Sequence, residues 1–451
     1  MRHARRGAIT LVLLFPACTG GGSPAPAGST LSPSAVTTSF IPAPPSPTAT
    51  ASPSGAPAGE SAAEAMTRLC VRPPAPKETP ASPGPVPPAV REVERQVQEV
   101  RGLEYLHPVA VDAVTHDEIV KGLAAPFDHD FPSGLLARRT RVWQLIGVIP
   151  EDAGLREVYQ RFLSQQVIGY YAPTSGQLVF LGTTDPSPVE RLTLAHELTH
   201  ADDDQHFDLS RLNGLENRCR DEELMAATGA VEGSAQFFSF AVAREFFTPA
   251  EQLQLLLGSN GGSTEGIPPF IQAIELWPYL DGENFIAALD ARGGLDAVNA
   301  AFRDFPVSTE QVMHPEKYPG DVPTPVDVPD YGPALGAGWR DLDVMQVGEE
   351  WLKAMLELRV PSLDAANAAA GWDGGLYRAW TNGPHVAVVL STRWDSEEEA
   401  GQFAAAVRTW VHSAEHVLVE ATPAPGSPVA VLFASDAPTL DALERAAGFS
   451  G

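Results

Sequence analysis

His196 and His200, in the stretch RLTLAHELTHADDDQHFDL, stand four residues apart with Glu197 beside the first. On a helix that spacing puts both imidazoles on one face, one turn apart. Two imidazoles so placed reach one tetrahedral Zn2+ at about 2.0–2.1 Å. A carboxylate next to them can take a proton from water at the open fourth position. A chain of 451 residues with 11 histidines gives such a motif by chance on the order of 0.02 times, so a coincidental helix is the poorer explanation. The pattern predicts His196 and His200 as metal ligands and Glu197 as general base.

Two residues compete as third ligand. His206 lies six positions past His200, so HELTHADDDQH matches HExxHxxGxxH except at the glycine. Asp203 occupies that place, where a left-handed turn costs more than it would for glycine. Met313, in VMHP, weakly resembles the methionine turn of the same class. Glu232, in AATGAVEGSAQF, stands on the next long helix, which is apolar around most of its circumference. A carboxylate buried there needs a partner, and a metal provides one. Glu232 is the preferred ligand and His206 the alternative, with Glu222 and Glu223 as further candidates.

The run Asp202, Asp203 and Asp204 opposes the helix dipole at a C-terminus. Asp203 and Asp204 are three and four residues past His200. They are expected to accept the second ring N–H of a ligand histidine, the alternative being a solvated acidic turn. His314, in STEQVMHPEKY, is the expected donor to the oxyanion of a tetrahedral intermediate, and Tyr279, in WPYLDG, the second candidate. His107, His116 and His129 lack metal spacing and read as surface or loop residues.

These residues need a scaffold. Runs rich in Val, Ile, Tyr and Phe flank Pro-Thr-Ser-Gly in QQVIGYYAPTSGQLVFLG, which predicts a hairpin over 166–181. The motif helix follows, opened by Pro186, Ser187 and Pro188 and running to about Asp204. Upstream, REVERQVQEVRGL reads as a polar helix. HPVAVDAVTHDEIVKGL reads as a strand and then a helix begun by a Thr115/Glu118 capping box. Residues 134–165 read as helical, broken at 149–152. Downstream come a buried helix over 221–247, then helices over 249–257, 268–277 and 281–304, and a Pro-rich crossing over 319–333. From about residue 340 the order helix, strand, strand, helix, strand, strand, helix predicts a small domain. The expected fold class is α+β: a mostly helical metal-binding domain over 89–335 with a small edge hairpin, plus a smaller C-terminal α+β domain over 340–451.

Composition bounds the partners. A formal charge of −27 argues against nucleic acid and against anionic lipid surfaces. MRHARRGAITLVLLFPAC has an arginine-rich start, a short apolar run and a cysteine after a small residue, which resembles a lipoprotein-type signal over 1–18 with Cys18 as the lipidated residue. Secretion without a lipid is the alternative. Residues 19–88, dominated by Pro, Ala, Ser, Gly and Thr, read as a disordered tether. Cys70 and Cys219 then remain as an expected disulfide in an oxidising compartment.

TLAHELTHADDDQHFDL, AVEGSA, WPYLDGENF, GGLDAVNAAF and STEQVMHPEKY together resemble a group of bacterial exported HExxH proteins of gluzincin-like type, over roughly 91–325. The resemblance implies a zincin-like metallopeptidase domain with one Zn2+ per chain. It also implies His196, His200 and Glu232 as ligands and Glu197 as base. A peptide or protein substrate would lie extended along the hairpin edge, on the outer face of a bacterial cytoplasmic membrane. Gln236 departs from the thermolysin-like pattern, in which an Asp four residues after the ligand Glu often supports a ligand histidine. The reading from another class is a non-catalytic zinc-containing binding or scaffold lipoprotein, with the C-terminal domain as its working part.

Overall fold

Ser187 starts the motif helix in the way its neighbours dictate. In the computed structural model, which describes residues 11–12, 60–72, 86–121, 127, 132–181, 186–258, 263–411, 416–421, 426 and 428–449, this helix runs Pro188–Phe207. The Ser187 side chain accepts from Glu190 N, and Glu190 accepts from Ser187 N at 2.7 Å. Pro188 at the first helical position gives up no hydrogen bond. The far end runs beyond Asp204 to Asp208, whose φ of 56° turns the chain out of the helix. The turn that HExxHxxGxxH would require at Asp203 is absent, because Asp203 is helical.

Three helices surround this one. Pro88–Arg101 buries Val90, Val93 and Val97, so the helix read as polar has an apolar stripe. Asp221–Phe246 is buried along most of its length. Pro269–Arg303 runs unbroken through Pro278, where the sequence suggested a boundary, and kinks instead at Gly293 and Gly294, whose backbone leaves the helical region. Packing on both sides of Pro278 outweighs the lost backbone bond. A Cβ on Gly233 would overlap the Gly282 backbone, and one on Gly282 would overlap the Gly229 carbonyl. The glycines of AATGAVEG and YLDG therefore let Asp221–Phe246 and Pro269–Arg303 cross backbone to backbone.

The hairpin forms as expected. Gly169–Ala172 pairs antiparallel with Gln177–Leu181, with Ala172 opposite Gln177, and Ala110–Val114 lies parallel to Gln177–Leu181 on its other side. The outer edge of Gly169–Ala172 takes Leu11 and Val12 in antiparallel pairing, opposite Tyr171 and Tyr170. The Thr115/Glu118 capping box is present.

The C-terminal part is an antiparallel sheet in the order Arg340–Gln346, Trp372–Asn382, His385–Trp394, Val429–Ala434, Val417–Ala421. Its first strand was not legible in the sequence. The helices Glu349–Glu357 and Glu397–Val411 cover one face together with Ser133–Ile146 from the first half. Trp143 and Phe270 meet Trp351 there, with ring centroids 6.2 and 5.3 Å apart. The boundary expected between 335 and 340 is therefore crossed by a shared apolar core.

The other face corrects the tether. Ala62–Leu69 is a helix capped by a Ser61/Glu64 box, and Ala62, Ala65 and Met66 bury against Val328, Trp380 and Leu432. Arg378 Nη1 donates to Glu60 O at 2.9 Å, and Arg68 Nη2 pairs with Asp341 at 2.5 Å. The expected disulfide between Cys70 and Cys219 is present, joining positions 149 residues apart. No helix among the described residues is long and apolar enough to cross a membrane.

Candidate metal centre

The motif helix and Asp221–Phe246 bring three donors together. His196 Nε2 lies 3.0 Å from His200 Nε2 and 3.1 Å from Glu232 Oε2, and His200 Nε2 lies 3.3 Å from the same oxygen. Tetrahedral ligands on bonds of 2.0–2.1 Å stand about 3.3 Å apart, so the set fits one Zn2+. Exposure is 0% for both histidines and 2% for Glu232. Burial above all holds His196 down to about 4, which leaves its ring neutral near pH 7. Burial works against ionised Glu232 too, but His200 and His196 outweigh it and hold the carboxyl below its usual range.

The other proposed ligands are engaged elsewhere. His206 Nε2 faces Glu104 O at 2.9 Å and Asp202 Oδ1 at 3.6 Å. Glu222 accepts from Thr309 N and Oγ1 at 2.6 and 2.8 Å, and Glu223 pairs with Arg220.

Glu197 is wholly buried, and among the described residues neither carboxylate oxygen makes a hydrogen bond of ordinary geometry. The donor turned toward it is the Tyr171 amide of the edge strand. Burial, then the charge of Glu232, overrides that amide and pushes the group well above the usual carboxylate range. The strand packs directly on this residue at Gly169, where a Cβ would touch Glu197 Cγ at 3.6 Å and crowd Thr193 Cγ2 at 3.3 Å. Tyr279 stacks on His196, with centroids 6.0 Å apart, and its phenol donates to Glu232.

Two expectations are corrected. His314 is engaged elsewhere: its Nε2 is 2.9 Å from Glu349 Oε1 at the seam with the C-terminal sheet, where the short helix Thr309–Met313 ends. Asp203 and Asp204 do not support His196 and His200, whose Nδ1 atoms find no hydrogen-bond partner among the described residues. Asp203 instead accepts from Arg101 Nε and Ser234 Oγ, both at 2.8 Å. The Arg101 guanidinium lies 5.0 Å over Phe238 and 5.6 Å over Phe302. This buried clamp ties Pro88–Arg101, the motif helix and Asp221–Phe246 together, two residues from Glu232. Asp204 accepts from Tyr171 Oη at 2.7 Å and Leu209 N at 2.8 Å, which fastens the edge strand to the motif helix.

Sequence reasoning missed Arg101, Tyr171 and the glycine crossing. Only the crossing left a signal: glycines four apart on an apolar helix. A second acidic group, Glu310, Asp321 and Asp395, already holds a cation, with Lys317 Nζ at 2.5, 3.2 and 2.8 Å from its carboxylates. Cys18 and His129 lie outside the described residues.

A family described as "Domain of unknown function (DUF8575)" matches residues 340–441, the C-terminal sheet and its helices. No curated protein and no solved structure matches the chain.

Proposed function

We propose that the chain is a zinc-dependent, gluzincin-like metallopeptidase with a zincin-like domain. The observation that carries this reading is the convergence of His196, His200 and Glu232 within 3.0–3.3 Å beside a buried, unpaired Glu197. A purely structural zinc site has four protein ligands and needs no base, whereas three ligands and a neighbouring carboxylate suit hydrolysis.

When bound, zinc supplies a Lewis acid that polarises a carbonyl and lowers the pKa of water towards about 7. Glu197 takes the proton of the attacking water and delivers it to the leaving amine. Tyr279 fixes two ligands, one by stacking and one by hydrogen bond. An extended peptide backbone takes the place that Leu11 and Val12 occupy along the outer side of Gly169–Ala172.

The test is zinc per chain in wild type, Glu232→Ala and His206→Ala, with hydrolysis of an unfolded protein pool measured alongside. One zinc, lost only in Glu232→Ala, with hydrolysis blocked by a chelator, is the expected result. Loss in His206→Ala, or no zinc in metal-replete wild type, overturns the ligand set. The complete burial of Glu197 and both histidines favours a second reading, a non-catalytic zinc-containing scaffold lipoprotein. Zinc bound without any hydrolysis would select it. We further propose that Cys18 carries a lipid holding the protein to the outer face of a bacterial membrane. Labelled fatty acid on wild type but not Cys18→Ala checks this, and its absence in both indicates secretion.

A further inference from the structure

Gly169–Ala172 runs past the candidate metal centre, and its outer side is already filled. Leu11 stands opposite Tyr171 and Val12 opposite Tyr170, in antiparallel register. The inner side pairs with Gln177–Leu181, whose own far side is covered by Ala110–Val114. Tyr171 joins the sheet to the centre. It takes Leu11 as its strand partner, turns its amide toward Glu197, and bonds Asp204 of the motif helix through its phenol at 2.7 Å. The pairing therefore falls beside the base of the proposed reaction, on the positions that a substrate backbone needs.

A second observation agrees: the centre is shut. His196, Glu197 and His200 have no exposed surface, and all four residues of Gly169–Ala172 are buried. A hydrolytic centre has to admit a backbone, so a wholly enclosed one is held in a form that excludes it. An open edge strand shows a row of unpaired N–H and C=O groups and pairs with an extended chain that reaches it. ITLVLLF, residues 9–15, consists of large and β-branched apolar residues of the kind that favour strands. Being on the same chain, it meets the edge at an effective concentration on the order of millimolar. A pairing too short to hold two separate molecules together can then compete with a free peptide.

We propose that Leu11 and Val12 are an intramolecular plug: while residues 1–17 remain on the chain they occupy the backbone positions of a substrate and keep the metal centre shut, and their removal opens it. The inference rests on the peptidase reading and names the regulation of that site. Removal is hydrolysis of the Ala17–Cys18 peptide bond by an external signal peptidase. Water adds its hydroxyl to the Ala17 carbonyl carbon and a proton to the Cys18 nitrogen. The same cut makes Cys18 the first residue, so lipid attachment and opening belong to one maturation.

The experiment uses the zinc-loaded full chain, made without export so that residues 1–17 stay in place, beside the same chain with Leu11→Pro and Val12→Pro. Proline has no N–H to give and does not continue the pairing. Three quantities are read: hydrogen exchange of the Tyr170 and Tyr171 amides, the rate at which a chelator strips zinc, and hydrolysis of an unfolded protein pool. All three rise in the proline variant, by about tenfold or more, while exchange within Asp221–Phe246 does not change. Leu11→Ile with Val12→Ile keeps the backbone donors and behaves as wild type. Unchanged exchange at Tyr170 and Tyr171, or a rise spread equally through Asp221–Phe246, overturns the plug. Faster exchange at the edge without faster zinc loss overturns it too, because the pair then does not close the centre. Equal, measurable hydrolysis by both chains refutes only the plug. Hydrolysis absent from both, with exchange and zinc loss faster in the proline variant, refutes only the peptidase.

Discussion

The C-terminal sheet buries Arg378 completely and surrounds it with acceptors: Asp341 at 2.9 Å, Glu60 O at 2.9 Å and Val328 O at 3.2 Å. Asp343, equally buried, accepts from Tyr377 at 2.6 Å. Across the shared core, the motif helix buries Glu197 and Asp202 just as deeply and leaves all four of their oxygens without a hydrogen bond among the described residues. The unpaired atoms buried within the sheet and its helices include the indole N–H groups of Trp351, Trp372 and Trp410, Gln346 Oε1, and one oxygen of Glu349, whose other oxygen meets His314; no buried carboxylate there lacks a partner on both oxygens among the described residues. Native proteins satisfy nearly all buried polar groups, so the unbonded Glu197 carboxylate next to the three converging donors is what the proposed hydrolysis would use. The sheet is built for stability, and the helical half gives some of that up.

That contrast can be broken or sharpened in graded steps. Glu197→Gln has the largest effect: hydrolysis falls by about 10²–10⁴-fold, while zinc stays at one per chain and the urea midpoint does not fall. Retained turnover would remove the chemical meaning of the orphaned carboxylate. Next come the two buried arginines. Arg101→Met strands Asp203 and costs about 3–5 kcal/mol in urea unfolding, and it weakens zinc binding because the clamp sets the position of Glu232. Arg378→Met costs a similar amount yet leaves zinc affinity unchanged. Equal zinc loss in both would show that the halves are not distinct.

Replacing both Cys70 and Cys219 by Ser costs about 2–4 kcal/mol, with zinc content unaltered. The smallest effect lies at the seam. Burial raises Glu222 to about 7 despite its two Thr309 donors. A carboxyl with a raised folded pKa contributes stability that is fully present below its unfolded value of about 4.5 and is lost as pH rises through about 7. Between pH 6 and 8 wild type therefore loses on the order of 1 kcal/mol that Glu222→Gln retains, measurable as a flatter dependence of Tm on pH.

What the sequence disclosed follows the range of the interactions. HELTH and its capping Ser187 act over four residues, so spacing alone was enough. Glu232 was legible because a carboxylate on an apolar helix is anomalous by itself. The partner of Asp203 was not legible, because Arg101 lies 102 residues upstream at the end of a helix that reads as polar. His314 was misread for the same reason: its partner Glu349 belongs to the other side of the seam. Ala62–Leu69 was hidden differently. Its apolar stripe is only Ala62, Ala65 and Met66, too weak to stand out within a Pro- and Ala-rich run, and it folds because the sheet offers a surface to cover.

The Cys70–Cys219 bond also determines how the molecule transmits force. Tension applied at Glu60 passes along Ala62–Leu69 and crosses covalently from Cys70 to Cys219. Residues 71–218 form a closed loop outside that path, and the whole of the motif helix Pro188–Phe207 belongs to it. Tension on that covalent path therefore bypasses the histidine pair. The segment before Cys70 can be under load while the four-residue spacing of His196 and His200 is not.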